Sequence, residues 1–121
     1  MKIKCLDKEI CVCKVKDYSL VNMNSDFFFM EKTDEENSLV CEVKVIPENA
    51  IVTDKDWKAF RIEGILDFSL IGILSKIANI LAENGISIFA LSTYNTDYVL
   101  VKKENFRRAI DLLMEAGYEK A

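Results

Sequence analysis

The chain has 121 residues, half of them apolar and 30% charged, enough for one compact unit or two very small halves sharing a core and too apolar for wholesale disorder. A net charge of -4 argues against a general nucleic-acid binder, and no apolar run reaches the length of a membrane span. Met1-Lys2-Ile3-Lys4-Cys5 is not followed by the apolar stretch of a signal peptide, so a cytoplasmic protein is expected.

In chain order, residues 1–6 and 10–15 read as a hairpin turning at Asp7-Lys8-Glu9. Cys11 and Cys13 fall on one face of that second strand, but the usual zinc spacing is missing and the chain has no histidine. The four cysteines are therefore expected to be reduced, small apolar residues, with no metal and no cofactor. Phe27-Phe28-Phe29-Met30 is apolar on both faces and suits a central strand. Thr33-Asp34-Glu35-Glu36-Asn37-Ser38 is too short for more than a single helical turn and reads first as a solvated, acid-capped turn. Leu39, Cys41, Val43 and Val45 alternate with Glu42 and Lys44, giving a half-buried strand that stops at Pro47. This half is a sheet with little helix to cover it and could not fold well alone.

The second half is more regular. Phe60 and Ile62 share one face of a strand over 57–63 that ends at Gly64. A helix follows over 69–84, because Leu70, Ile73, Leu74, Ile77 and Leu81 recur at three- and four-residue steps. Asp67 or Ser69 can cap its start, and Asn84-Gly85 offers a left-handed stop. Residues 86–93 and 98–102 form a hairpin around Tyr94-Asn95-Thr96-Asp97. From Glu104 a second helix presents Phe106, Ile110, Leu113 and Met114 on one side and ends at Gly117, before a last short strand over 118–121. The order is that of an α+β, ferredoxin-like βαββαβ fold: an antiparallel sheet with helices on one face. The strand from Ile86 is apolar on both faces, so the first half or a second copy of the chain is expected to cover or extend the sheet.

Two stretches could carry chemistry. From Gly64 to Gly72 the chain passes from strand to helix start, whose N–H groups suit a carboxylate or phosphate. On spacing alone an ordinary capped turn is favoured there, with Gly72 present for close packing, and no phosphate-loop or dinucleotide fingerprint occurs. The hairpin tip Leu91-Ser92-Thr93-Tyr94-Asn95-Thr96-Asp97-Tyr98 could hold a zwitterionic amino acid, although in isolation a solvated turn, to which Asn95 and Asp97 are well suited, is the favoured reading. Ser19, Ser25 and Ser69 have no histidine to activate them, so no catalytic constellation is present.

The chain resembles the ACT domain, the ligand-binding module named after aspartate kinase, chorismate mutase and prephenate dehydrogenase. The likeness lies in Trp57-Lys58-Ala59-Phe60-Arg61, in Phe68-Ser69-Leu70-Ile71-Gly72-Ile73-Leu74, and in the run from Ile86 through Ser92-Thr93-Tyr94-Asn95-Thr96-Asp97 to Val101. It is strongest to small free-standing bacterial and archaeal members and to the domains of eukaryotic cytosolic arginine sensors. The resemblance implies paired domains, a degenerate half over 1–50 and an ACT domain over 51–121. It also implies an effector held by the loop before the first helix, here Gly64, Leu66, Asp67, Phe68, Ser69, Leu70, Ile71 and Gly72. Ser92, Thr93, Thr96 and Asp97 would form a second wall, and Thr33, Glu35 and Ser38 a third. The expected function is a non-catalytic regulatory module that binds a small molecule, an amino acid, as a homodimer acting on an enzyme. The alternative is a protein–protein interaction or dimerisation module that recruits a metabolic enzyme and whose pocket is vestigial.

Overall fold

The computed structural model describes residues 1–63 and 72–121. In chain order the elements are β1 (Lys2–Cys5), β2 (Ile10–Val15), β3 (Phe28–Lys32), β4 (Asn37–Glu42), a 3-10 turn (Val43–Val45) and β5 (Ala50–Ile62), followed by α1 (Ile73–Glu83), β6 (Ile88–Ser92), β7 (Asp97–Lys102), α2 (Lys103–Glu115) and β8 (Glu119–Lys120). They fall into two compact units: an inserted unit, Lys8–Trp57, and a split unit made of Met1–Asp7 with Lys58–Ala121. β5 supplies its first residues to the inserted unit and its last to the split unit.

In the inserted unit the strands run β3-β4-β2-β5, each antiparallel to its neighbour. That is the strand order of a βαββαβ fold whose helices have been replaced, by the irregular chain over 16–27 and by the 3-10 turn. Three expectations change here. The predicted hairpin of 1–6 with 10–15 does not form, because Asp7-Lys8-Glu9 makes no chain reversal: β1 pairs with Phe60, Arg61 and Ile62, while Ile10 pairs with Trp57. The Phe-rich strand β3 is not central but pairs with β4 alone among the described residues. Its aromatic rings cover one another instead, with Phe27 edge-on to Phe29 at 5.3 Å and the Lys8 ammonium 5.9 Å above the Phe27 ring. The strand from Leu39 stops at Glu42, where Val43–Val45 turns as a 3-10 helix whose first N–H donates to the Glu9 carbonyl.

The small core of this unit is built on Cys11, Cys13, Val15, Leu39 and Cys41. Cys11 faces Cys41 across the β2–β4 ladder, and Cys13 lies one strand step along on the same face. Burial, with the neighbouring Cys13 thiol, pushes the Cys11 thiol up to about 11. A hydrogen bond with Cys41, with burial behind it, holds Cys13 well above the ordinary thiol range. Since the thiolate is the nucleophile, these thiols should resist Ellman's reagent at pH 8 in the folded protein and react once denatured. Rapid native labelling of Cys11 or Cys13 would contradict this placement.

β5 carries a bulge opposite β2, where the register shifts between Ile10 and Val12 and Asp56 adopts φ 70°. A left-handed backbone costs an L-residue about 1–2 kcal/mol, partly recovered by the greater chain freedom of glycine when unfolded. Asp56→Gly should therefore stabilise the protein by about 0.5–1 kcal/mol, read as a higher midpoint of urea unfolding. A lower midpoint would mean that the Asp56 side chain contributes more than its backbone costs.

In the split unit, β7 lies between β6 and β5, and β1 lies antiparallel to β5 and parallel to β8. The α+β, ferredoxin-like plan is the expected one, with β1 an additional strand between the first and last of the pattern. Ile77 and Leu81 of α1 and Ala109, Ile110 and Leu113 of α2 are buried with Phe60, Ile62, Val99 and Val101 of the sheet. The predicted stripe of α2 needs one change: Met114 is 45% exposed, because it sits one position past Leu113 and off the face that Ala109 shares. Both helices stop the same way. Gly85 (φ 73°) and Gly117 (φ 102°) donate to the carbonyls of Ala82 and Met114, and the following Ile86 and Tyr118 donate to Leu81 and Leu113. This paired capping motif needs a left-handed residue, hence glycine. The Arg108 guanidinium on α2 also donates to the Asn84 carbonyl at 2.5 Å, satisfying the end of α1. In β6, Leu91 is buried, Ile88 and Phe89 are half-buried and Ala90 is exposed.

Candidate functional site

The β6–β7 hairpin turns through four residues whose conformation is held by side-chain chemistry. The Thr93 N–H donates to the Thr96 carbonyl at 2.8 Å, and the Thr93 hydroxyl donates to the same oxygen at 3.1 Å. The Thr96 N–H returns a bond to Thr93 Oγ1 at 3.3 Å. Threonine is suited to this because its hydroxyl both donates and accepts. At the base of the turn Ser92 pairs with Asp97, and the Ser92 hydroxyl donates to Asp97 Oδ1 at 2.6 Å, a short charge-assisted bond.

Thr96 is the buried member, with its hydroxyl donating to the Ile62 carbonyl at 2.6 Å. That bond ties the hairpin tip to the end of β5, where Arg61 and Glu63 occupy alternate positions and so share a face. Arg61 Nε donates to Glu63 Oε2 at 3.1 Å, with 30% of the arginine and 36% of the glutamate side chain exposed. The hydrogen bond that Arg61 donates to Glu63, and then the one it donates to Tyr98, raise its guanidinium above the ordinary value, so it is a permanent cation. Arg61, Ile62, Glu63, Thr93, Asn95, Thr96 and Tyr98 line a half-open cavity of about 280 Å³. It offers a cation, an anion, a hydroxyl and an amide within one small volume, the equipment for holding a polar molecule in a defined orientation.

Thr93 and Thr96, predicted from sequence, therefore line one cavity together, while Ser92 and Asp97 bond each other beside it. Gly64, Leu66, Asp67, Phe68, Ser69, Leu70 and Ile71 lie outside the described residues. Gly72 opens α1 at φ 82°, and a Cβ added there would meet no described atom within 4 Å. Its glycine thus serves a left-handed backbone, and no described residue packs closely against it.

Thr33, Glu35 and Ser38 belong to the inserted unit's β3–β4 hairpin, which turns on the same plan. The N–H groups of Glu35 and Glu36 donate to Thr33 Oγ1 at 3.1 and 3.2 Å, and the Thr33 N–H donates to the Glu36 carbonyl at 3.0 Å. Here the tether comes from Asn37, whose amide donates to the Lys16 carbonyl at 2.9 Å, and Ser38 accepts at its carbonyl from the Tyr18 hydroxyl. Glu35 is exposed.

Sequence reading missed Arg61 and Glu63 as a cavity lining. A signal was available: opposite charges at alternate positions, Arg61 and Glu63, either side of the apolar Ile62. Among the described residues no group of three or more metal-ligating side chains is suitably placed for an ion, and no helix is long and apolar enough to cross a membrane.

Comparison with known proteins places these features in context. The sequence model of the ACT domain matches residues 52–115. Among solved structures, protein Atu0741 from Agrobacterium tumefaciens superimposes with a TM-score of 0.86 at 28% identity, covering 99% of this chain and 91% of that one. A Vibrio cholerae protein of unknown function, described as a possible transport protein, gives 0.71 at 20% identity over 94% of this chain and 88% of the other. The regulatory subunit of aspartate kinase from Thermus thermophilus gives 0.68 at 10% identity, covering 97% of each chain, a likeness of fold.

Proposed function

The chain belongs to the ACT domain family of regulatory ligand-binding modules, and on that premise we propose that it binds an amino acid and regulates a partner enzyme, catalysing nothing itself. The observation that carries this reading is the hydrogen-bonded turn of Thr93 and Thr96, tied to Ile62 beside the cavity that holds Arg61 and Glu63. The absence of histidine from the sequence agrees with a non-catalytic role, and four free cysteines agree with a cytoplasmic setting. The loop from Gly64 to Gly72 and the tip from Ser92 to Asp97 are the proposed contacts in the split unit.

A thermal-shift screen over the twenty L-amino acids tests the reading, with arginine first because of the resemblance to arginine sensors. Ligand at 100 times its dissociation constant stabilises by about 2.7 kcal/mol. A screen with no shift at millimolar concentration would overturn it. It would favour the second reading, an interaction module, for which the supporting observation is the pair Ile51 and Val52 on β5, 67% and 56% exposed.

We also infer that the chain works as a homodimer, supported by the half-buried Ile88 and Phe89 of β6. Light scattering should return twice the chain mass, and a clean 13.8 kDa species at high micromolar concentration would count against the pair.

A further inference from the structure

We propose that the Arg61–Glu63 ion pair is the charge-recognition element of the split unit's cavity, and that it selects a dipolar ligand whose α-carboxylate and α-ammonium are both free. This rests on the amino-acid reading above and adds to it the residues and the chemical class.

The pair is poorly explained as a support of the fold. Its side chains are about a third exposed, and ion pairs in such positions contribute little to stability. It stands instead in the wall of a cavity that the hairpin tip also lines. Thr96 bonds the carbonyl of Ile62, the residue between the two charges, so the tip and the pair are held at a fixed separation.

The bonding capacity of the two groups points to the ligand. Arg61 spends its Nε hydrogen on Glu63 and a second bond on Tyr98, and the N–H donors that remain on its planar fork suit a carboxylate. Glu63 accepts that bond at Oε2, and a carboxylate has the lone pairs to accept an ammonium as well. A ligand with only a negative charge would meet Glu63 unfavourably, and one with only a positive charge would meet Arg61 unfavourably. A dipolar ligand lies along the pair head to tail, so all four charges have an opposite neighbour. Thr93, Asn95 and Thr96 line the same cavity, on the side of what projects from the α-carbon.

The experiment is calorimetric titration of the wild type with the twenty L-amino acids. Every amino acid that binds is then repeated as its N-acetyl and its methyl-ester derivative. Each derivative should bind about tenfold or more weakly than the parent, the loss of one charged hydrogen bond. Arg61→Gln and Glu63→Gln should each weaken the free amino acid by the same factor while leaving the unliganded melting midpoint nearly unchanged. Glu63→Gln should not weaken the N-acetyl derivative further, because the group that Glu63 recognises is already blocked. If Arg61→Gln does not fold, Glu63→Gln and its N-acetyl comparison decide alone. Full affinity for the free amino acid in the folded variants would overturn the assignment of the pair while leaving amino-acid binding intact. No binding of any amino acid to the wild type would overturn both.

Discussion

Replacing Phe60 with alanine should destabilise the protein by about 3–5 kcal/mol and lower its melting midpoint by on the order of 10–20 °C. The ring is fully buried. Its backbone pairs with Cys5 of β1, and its ring lies 6.4 Å from that of Phe106 on α2 at a tilt of 50°. Truncation thus removes the contact between sheet and helix and leaves a cavity that neighbours on both layers would have to collapse to fill. Small proteins carry only about 5–15 kcal/mol of net stability, so one such change takes a large share of it. Phe60→Leu, which keeps most of the volume, should recover more than half of the loss. Tyr94→Ala, at an 87% exposed position of the hairpin tip, serves as the control and should stay within about 0.5 kcal/mol. Urea unfolding of the three variants checks the ordering, and a Phe60→Ala midpoint equal to wild type would mean that this ring is not part of the core.

Thr96→Val should cost about 1–3 kcal/mol although it removes no volume. Valine reproduces the shape of threonine but cannot donate to the Ile62 carbonyl, which then loses a 2.6 Å bond in a buried position. The turn itself keeps the backbone bond from Thr93 to Thr96, so the hairpin should still close. Its tip, however, would lose its attachment to the end of β5, and the response to an amino acid should fall with it. Thr96→Ser, which retains the hydroxyl, separates the two effects and should behave close to wild type. A neutral Thr96→Val in both stability and ligand response would show that the hydroxyl bond does not hold the tip.

How far the sequence foretold this arrangement depends on how local each cause is. α1 and α2 were legible because their periodicity and glycine stops are written within single turns of chain. The β6–β7 hairpin was legible for the same reason, since Thr93, Asn95, Thr96 and Asp97 carry their turn chemistry with them. The first seven residues of β5 were not legible. Thr53-Asp54-Lys55-Asp56 has no apolar alternation, and it is extended because β2 supplies a hydrogen-bonding partner from distant sequence. Asp7-Lys8-Glu9 looked like a turn because its composition is polar, whereas the chain there stays near β5, with Leu6 donating to Ala59 and Val43 donating to Glu9. The site divides along the same line. Thr93 and Thr96, which line the cavity, were named from residue type, while Arg61 and Glu63 gained meaning only when Thr96 brought the hairpin tip to Ile62.

The interruption of the split unit by an entire second unit has a consequence for chain entropy. β1 can pair with Phe60, Arg61 and Ile62 only if the ends of a segment some fifty residues long, Lys8–Trp57, are brought together. Closing a structureless loop of that length costs about 3 kcal/mol in its length-dependent part alone. The inserted unit removes most of that cost by its own register, because Ile10 pairs with Trp57 and so holds the segment's two ends side by side once it is folded. The helix-poor unit thereby acts on its better-covered neighbour as a disulfide acts on the loop it closes, by narrowing the states from which the ordered one must be reached. Changes that loosen its thiol-lined core weaken that constraint, so they reduce the stability of the β1–β5 pairing that depends on it.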